Sequence, residues 1–272
     1  MNKFAQLLQD VSTLWSTYSG MYLVGIKNTM ILAIVGTALG CVIGFICGIL
    51  NTIPCSKNDS FLKRFFLGLI KVIVRIYIEV FRGTPLVLQA VFIYYGLPYF
   101  TDGRFRFENV WLCAILVVTI NTGAYMAESV RGGINSVDQG QTEGAMAIGM
   151  NHFQTMWTVV FPQALRYILP QISNEFIVNI KDTSVMFIIT FTEFFAVHRS
   201  VAGASYLYFP SAVIEMLGYL TMTLISSFIL RQVEKGMAGK KNFELVDAEE
   251  NSSGEIDGGT GLSEQPGNGG AD

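Results

Sequence analysis

The chain has 272 residues, of which 51% are hydrophobic and only 14% charged, and its mean hydropathy is +0.45. A soluble domain carries charge on about a quarter of its residues, so this balance excludes a chain that faces water on every side. The formal net charge of −3 says little about partners, because the acids gather in the C-terminal tail.

The first predicted element is residues 1–20. Phe4, Leu7, Leu8, Val11, Leu14, Trp15 and Tyr18 recur at helical spacing, which predicts an amphipathic helix on the extracytoplasmic membrane surface. A cationic start and a short apolar core with a cleavage site are both missing, so the stretch does not read as a secretory signal. Met30 to Leu50 then gives 21 residues without a charge, enough to cross a hydrocarbon layer of about 30 Å. Span one is set at 28–50. Down it run Gly36, Gly40, Gly44 and Gly48, a stripe of small residues on which another helix can pack closely. Cys41, Cys47, Cys55 and Cys113 have no metal-ligand or redox spacing and read as small packing residues.

Residues 61–100 are mostly apolar, but Arg64, Lys71, Arg75, Glu79 and Arg82 are separated by seven, four, four and three residues. That spacing puts them on one helical face. Gly83 and Pro85 then interrupt the helix, and Thr84 to Phe100 is an uncharged run of 17 residues. The expected arrangement is an amphipathic helix at 61–82 along the cytoplasmic interface and a second span at 84–100. Three further spans fall at about 110–130, 172–196 and 211–231.

The bases set the orientation. With five spans and the N-terminus outside, Lys57, Lys63, Arg64, Lys71, Arg75, Arg82, Arg131, Arg166, Arg231, Lys235, Lys240 and Lys241 are cytoplasmic. Lys3, Lys27, Arg104, Arg106 and Arg199 are outside or at the outer boundary, and Lys181 lies within a span. Twelve inside against five outside follows the positive-inside bias, and a sixth span at 61–82 would spoil it by moving Lys57, Lys63 and Arg64 outside. The expected fold is therefore all-α and polytopic, with five transmembrane helices. An amphipathic extracytoplasmic segment covers 1–20, a transmembrane domain 21–238, and a Gly-, Glu-, Asp- and Ser-rich acidic tail 239–272, too polar to bury a core and expected to be disordered.

Between spans three and four, residues 132–171 form a cytoplasmic loop with its own organisation. Asp138 with Gln141, and Asn151 with Gln154, are two helix-starting pairs. Gly149 sits between the two predicted helices, where a turn needs positive φ, and Pro162 and Pro170 punctuate the second helix. Within the spans, Glu128, Glu175, Lys181, Asp182 and Glu193 are charges in an expensive place. Glu128 and Arg131 lie one turn apart and can pair with each other, whereas Lys181 and Asp182 point to different faces. Gln89 and Asn121 have two open readings, contact with a passing polar solute or attachment of one helix to another, and Thr122 reads as a helix contact.

At this point the residues resemble a family. Glu143-Gly144-Ala145, then Gly149, then Val159 through Leu165 with Pro162 nineteen residues after Glu143, is similar to the EAA loop of binding-protein-dependent ABC importer permeases. Gly144 departs from the family's first alanine, a small-for-small change that slightly loosens the helix. Tyr77-Ile78-Glu79-Val80-Phe81-Arg82-Gly83-Thr84-Pro85-Leu86 with Gln89 and Tyr94 to Pro98 resembles the polar amino acid branch. So do Asn121 to Glu128 with Arg131 to Ile134, and Lys181-Asp182-Thr183-Ser184. The matches run from about residue 25 to 236.

The resemblance implies a type I ABC importer permease fold and a multi-pass subunit in a bacterial inner or plasma membrane, with its C-terminus in the cytoplasm. It implies a permease for polar or charged amino acids that is no enzyme. It binds no cofactor itself, because ATP–Mg is used by a separate ATPase. The implied partners are a cytoplasmic ABC ATPase dimer, a second permease copy or sister permease, an extracytoplasmic amino-acid-binding protein and the lipid bilayer, with no nucleic acid. Residues 139–165 would couple ATPase closure to alternating access, with Glu143, Gly144, Ala145, Gly149 and Pro162 as the coupling residues. A solvated carboxylate near a helix start remains the other reading of Glu143. Gln89, Asn121, Glu128, Lys181 and Asp182 are candidates for the translocation path. The sequence has no Walker-type phosphate loop and no hydrolase motif, and its two histidines, His152 and His198, are too far apart for a metal site. The alternative function is a secondary transporter or channel for small polar solutes, which would leave the organised loop without a purpose.

Overall fold

The computed structural model describes residues 2–53 and 60–237. Cys55, Lys57, Lys240, Lys241 and the expected tail at 239–272 lie outside the described residues. Asn2 opens α1 (Lys3–Thr52) by accepting the Phe4 N–H, and no proline follows within the helix. The expected separation at residue 20 does not occur: residues 3–20 are the first turns of the rod that carries span one. Isolated glycines at 20 and 25 cost about 1 kcal/mol each, too little to stop a helix. Gly25 is also packed directly against Phe194 and Val197. At 1.5 Å per residue the rod is about 75 Å long.

α2 (Phe61–Gly83) is two-faced. Val74 and Ile78 are buried against Ala127, while Phe65, Phe66, Leu69, Ile73 and Ile76 are exposed. Lys71 reaches back to the end of α1, donating to the Ile53 carbonyl at 2.6 Å. Pro85 holds Thr84 extended, at φ −122° and ψ 144°, and so separates α2 from α3 (Leu86–Val91). One wide π turn at Phe92–Gly96 and the short α4 (Leu97–Phe100) complete this apolar stretch.

Asn109 caps α5 (Val110–Asn135) through the Trp111 N–H. The short α6 (Gln139–Ala147) and α7 (His152–Thr155) follow, and a π turn at Met156–Val160 feeds α8 (Phe161–Asp182). The expected span at 172–196 is not a single helix. α8 begins at Phe161 inside the predicted loop, tightens to 3₁₀ geometry at Thr183–Ile189, and breaks at Thr190, which sits at φ +65°. α9 (Phe194–Ser205) resumes at 55° to the helical path before the break, and α10 (Tyr208–Met237) returns. By length and apolarity α1, α5 and α10 can each cross a membrane, and the bent α8–α9 pair can make a fourth crossing. Leu86–Phe100 is apolar but shorter.

The glycine stripe explains the core. An added Cβ on Gly36 would meet Val118 at 2.5 Å, one on Gly40 would meet Thr122 at 2.6 Å, and one on Gly48 would meet Val130 at 2.6 Å; Gly44 sits closer still to Met126. Both series ascend by four, so α1 and α5 lie parallel with their backbones in close approach. α8 runs the other way, with Gly133 of α5 against Ile168 and Thr122 against Asn179. α9 and α10 fold against the first half of α1, where Leu14, Tyr22, Phe194, Val197, Val201 and Ile214 form one buried cluster.

Candidate functional site

The loop after α5 is built from caps. Asp138 accepts the Gly140 N–H at 2.7 Å and so starts α6, but Gln141 answers only through its backbone N–H to the Asp138 carbonyl, at 3.1 Å. Asn151 and Gln154 make the full reciprocal box, with both bonds at 2.9 Å. Gly149 sits at φ +91° and closes α6. Its N–H reaches Met146 and the Met150 N–H reaches Ala145, the paired bonds of a glycine-terminated helix.

Glu143, Gly144, Ala145 and Gly149 therefore belong to one short capped helix and its turn, while Pro162 sits in the first turn of α8 and is exposed. Ala145 is buried, and the space beside Gly144 is open, so alanine at that position would meet nothing. Glu143 is exposed, forms no hydrogen bond or ion pair among the described residues, and borders a groove of about 860 Å³ with Asp138, Gln139, Thr142, Met146 and His152. Ile148 is 80% exposed and Phe153 70%, with Met146 and Trp157 uncovered beside them. An exposed apolar patch of this kind beside a capped helix marks a protein or membrane contact.

Most of the polar groups within the spans have partners inside the chain. Gln89 donates to the Phe81 and Thr84 carbonyls, both at 2.9 Å, and accepts from Asn121 at 3.0 Å; Asn121 also reaches the Phe81 carbonyl at 3.3 Å. The two amides pin the broken end of α2 to α5, satisfying carbonyls that the break at Pro85 leaves without helical partners. Thr122 is a helix contact: Asn179 of α8 donates to its hydroxyl at 2.9 Å and to Thr37 of α1 at 2.8 Å. Glu128 is engaged by Arg131, through Nε at 3.1 Å and a second contact from the same guanidinium. Glu193 is fully buried as the cap of α9, accepting the Phe195 and Ala196 N–H groups at 2.6 Å and the Tyr219 hydroxyl at 3.0 Å.

Lys181 and Asp182 remain. Neither forms an ion pair among the described residues; Lys181 is exposed and Asp182 half-buried. They close a mostly polar strip of α8 that steps by three and four residues, with Gln171 and Asn174 exposed and Glu175 and Val178 half-buried. Sequence reasoning missed Asn179 and the buried chain from Tyr22 through Ser211 to His198, joined at 2.7 and 2.9 Å. The only signal was a polar side chain inside an apolar run, which does not say what it will touch.

Comparisons with known proteins agree on one family. The model of the binding-protein-dependent transport system inner membrane component matches residues 40–239. The glutamine transport system permease protein of Escherichia coli (strain K12) is 34% identical over 231 residues, 84% of this chain and 97% of its own length. The arginine transport system permease protein of Bacillus subtilis (strain 168) is 32% identical over 211 residues, 78% of this chain and 90% of its own. Among solved structures, an amino acid ABC transporter crystallised with histidines matches at a TM-score of 0.71 and 31% identity, covering 81% of this chain and 95% of that one. The methionine ABC transporter in an inward-facing conformation matches at 0.66 and 15% identity, a likeness of fold alone.

Proposed function

The chain belongs to the family of binding-protein-dependent transport system inner membrane components, and from that premise we propose how its parts divide the work of an amino acid ABC importer. The chain is the membrane-spanning permease subunit, and ATP is hydrolysed by a separate subunit. Its substrates are polar or charged amino acids, in line with the glutamine and arginine permeases it resembles. It crosses a bacterial cell membrane five times, with the N-terminus outside and the C-terminus in the cytoplasm. The parallel course of α1 and α5 supports five: two parallel neighbours require an odd number of crossings between them, so 61–100 crosses once.

α6 docks into the cytoplasmic ATPase dimer, and the observation that carries this reading is the capped helix with Glu143 unpaired and Met146, Ile148 and Phe153 uncovered. Glu143 supplies the polar anchor for a base or backbone amide. Gly144 and Gly149 allow close approach, the buried Ala145 seats α6 against the rest of the loop, and Pro162 fixes where α8 takes up the motion. The mostly polar strip of α8 that ends in Lys181 and Asp182 borders the translocation path, completed by a second copy or sister permease. Gln89 and Asn121 hold the broken helix beside that path, and Glu128 with Arg131 lies at its cytoplasmic end. An extracytoplasmic amino-acid-binding protein delivers the substrate; no cofactor binds the permease itself.

Co-expression with a cognate ATPase tests the docking. The wild-type chain is expected to retain the ATPase through purification, and Glu143→Ala combined with Ile148→Asp to lose it while remaining folded. Equal retention by both, or uptake in proteoliposomes lacking any ATPase, would overturn the proposal in favour of an autonomous transporter or channel.

A further inference from the structure

The buried chain of Tyr22, Ser211 and His198 ends on a carboxylate that the transport reading does not use. The Tyr22 hydroxyl of α1 lies 2.7 Å from Ser211 of α10, and Ser211 lies 2.9 Å from Nδ1 of His198 on α9. The other ring nitrogen, Nε2, faces Oε2 of Glu215 on α10 at 3.6 Å. His198 is buried, and only 12% of the Glu215 side chain is exposed. The group sits in the cluster where α9 and α10 fold against the first half of α1, at the other end of that helix from the α6 loop. Glu193 lies in the same cluster, but its surroundings differ. Two backbone N–H groups and the Tyr219 hydroxyl supply it with donors suited to a carboxylate, whereas Glu215 has only His198 among the described residues. The negative charge of Glu193 also acts on Glu215. No lysine or arginine forms an ion pair with either acid among the described residues: Arg199 of α9 is exposed and lies 4.8 Å over the Phe187 ring, and Lys27 of α1 is exposed. The other groups around the pair are the phenols Tyr18 and Tyr22 of α1 and Tyr208 and Tyr219 of α10, while α8 contributes the apolar Phe176 and Ile180.

We propose that His198 of α9 and Glu215 of α10 share one exchangeable proton, and that its loss loosens the hold of α9 and α10 on α1. Two buried carboxylates with no fixed cation between them are a costly arrangement, and one proton relieves it. On Nε2 the proton makes an imidazolium facing a carboxylate, and on Oε2 a carboxylic acid facing an imidazole; in both forms the pair is neutral. Given up to water, the proton leaves one negative charge on the pair beside that of Glu193, and like charges in a poorly solvated site repel strongly. The sign of the pH response follows. The hold is complete in acid, where the pair is neutral, and weakens as rising pH removes the proton. The seam between α1 and α5 does not share this response, because Thr37, Thr122 and Asn179, which tie it to α8, carry no titratable group. With the N-terminus outside, the pair lies in the extracytoplasmic half of the permease; its chemistry is the same in either orientation.

The test follows the melting of the permease within the permease–ATPase complex from about pH 5 to about pH 9, with hydrogen exchange read at α9 and α5. The wild-type permease is expected to lose about 2–4 °C over this range. Divided by the intrinsic base-catalysed rate, exchange in α9 is expected to rise with pH and exchange in α5 to stay level. Glu215→Gln is neutral at every pH, so it is expected to flatten both responses and to melt above the wild type at the alkaline end, a gain that misfolding cannot mimic. His198→Gln takes away one of the two proton sites and is expected to move the midpoint of the loss. A Glu215→Gln variant that keeps the wild-type response, or an unmoved midpoint in His198→Gln, overturns the shared proton. Because neither measurement uses transport, failure here and failure of the importer reading are separate results.

Discussion

Substituting Gly36 by alanine tests the α1–α5 seam most directly. The new Cβ would lie 2.5 Å from Val118 Cγ1 and 2.9 Å from its Cβ, whereas ordinary contact begins at 3.4 Å. Val118 cannot turn aside cheaply, because a β-branched residue in a helix holds one rotamer about 90% of the time. The helices must therefore separate by about an ångström at this level, an overpacking that costs about 1–3 kcal/mol. Separation also stretches the Asn179 bonds to Thr37 and Thr122, now 2.8 and 2.9 Å, each worth about 0.6 kcal/mol in a membrane. The gain in helix propensity returns about 1 kcal/mol, leaving a net loss of about 1–3 kcal/mol. Thermal unfolding of the purified permease reads it, with Gly20→Ala as the control. That residue lies in the same helix with open space around it, so alanine there is expected to be neutral or stabilising by up to about 1 kcal/mol. Val118→Gly moves the nearest atom away from Gly36 to 3.9 Å, so the double variant Gly36→Ala, Val118→Gly is expected to lose less than the sum of its parts. Effects that add within about 0.5 kcal/mol, or a Gly36→Ala as mild as Gly20→Ala, would refute the steric account.

Three further outcomes follow from other parts of the fold. Glu193→Ala removes the acceptor of two helix-start amides and leaves the Tyr219 hydroxyl short of a partner, so it is expected to destabilise by about 2 kcal/mol, and Glu193→Gln by less. Equal melting points for the two variants would contradict this. Asn151→Ala breaks the capping box before α7 at a cost of about 1 kcal/mol, visible as faster hydrogen exchange at the Gln154 amide; unchanged exchange there would count against the cap. Gly149→Ala forces a Cβ onto a residue at φ +91°, at a cost of about 1–2 kcal/mol, and is expected to lower ATPase retention and uptake, whereas Gly144→Ala meets open space and leaves both intact. The reverse order would mean that the shape of the α6 turn is irrelevant to docking.

The elements that could be read from the sequence are those specified locally. The Asn151–Gln154 box, the positive φ at Gly149 and the close-packing role of the Gly36–Gly48 stripe depend on residues within a turn or two of each other, and each takes the expected form, while Asp138 caps α6 without the Gln141 side chain. The continuity of α1 escapes such a reading because a run of apolar residues gives no stop signal, and the amphipathic pattern of residues 4–18 suggests an end that nothing enforces. The break at Thr190 carries no proline or glycine; it is held by the Glu193 cap and by the packing of Phe194 against Tyr219 and Gly25, contacts that join distant parts of the chain. For the same reason Gln89 and Asn121 could not be placed: a buried amide is equally suited to a solute and to a stranded carbonyl. Only the geometry of the 81–85 break shows which carbonyls lacked partners.

The cluster in which α9 and α10 close on the first half of α1 bears on how the chain is made. Thr29 accepts the Phe194 N–H across 165 residues, and Tyr22 meets Ser211 across 189. At a synthesis rate of about 5–20 residues per second, the first helix waits roughly ten to forty seconds for the surface that covers Leu14 and Tyr22. During that interval a ribosome-bound chain presents these side chains to the insertion machinery and to membrane proteases. A transcript that stops before α9 yields a product whose earliest helix is never sealed.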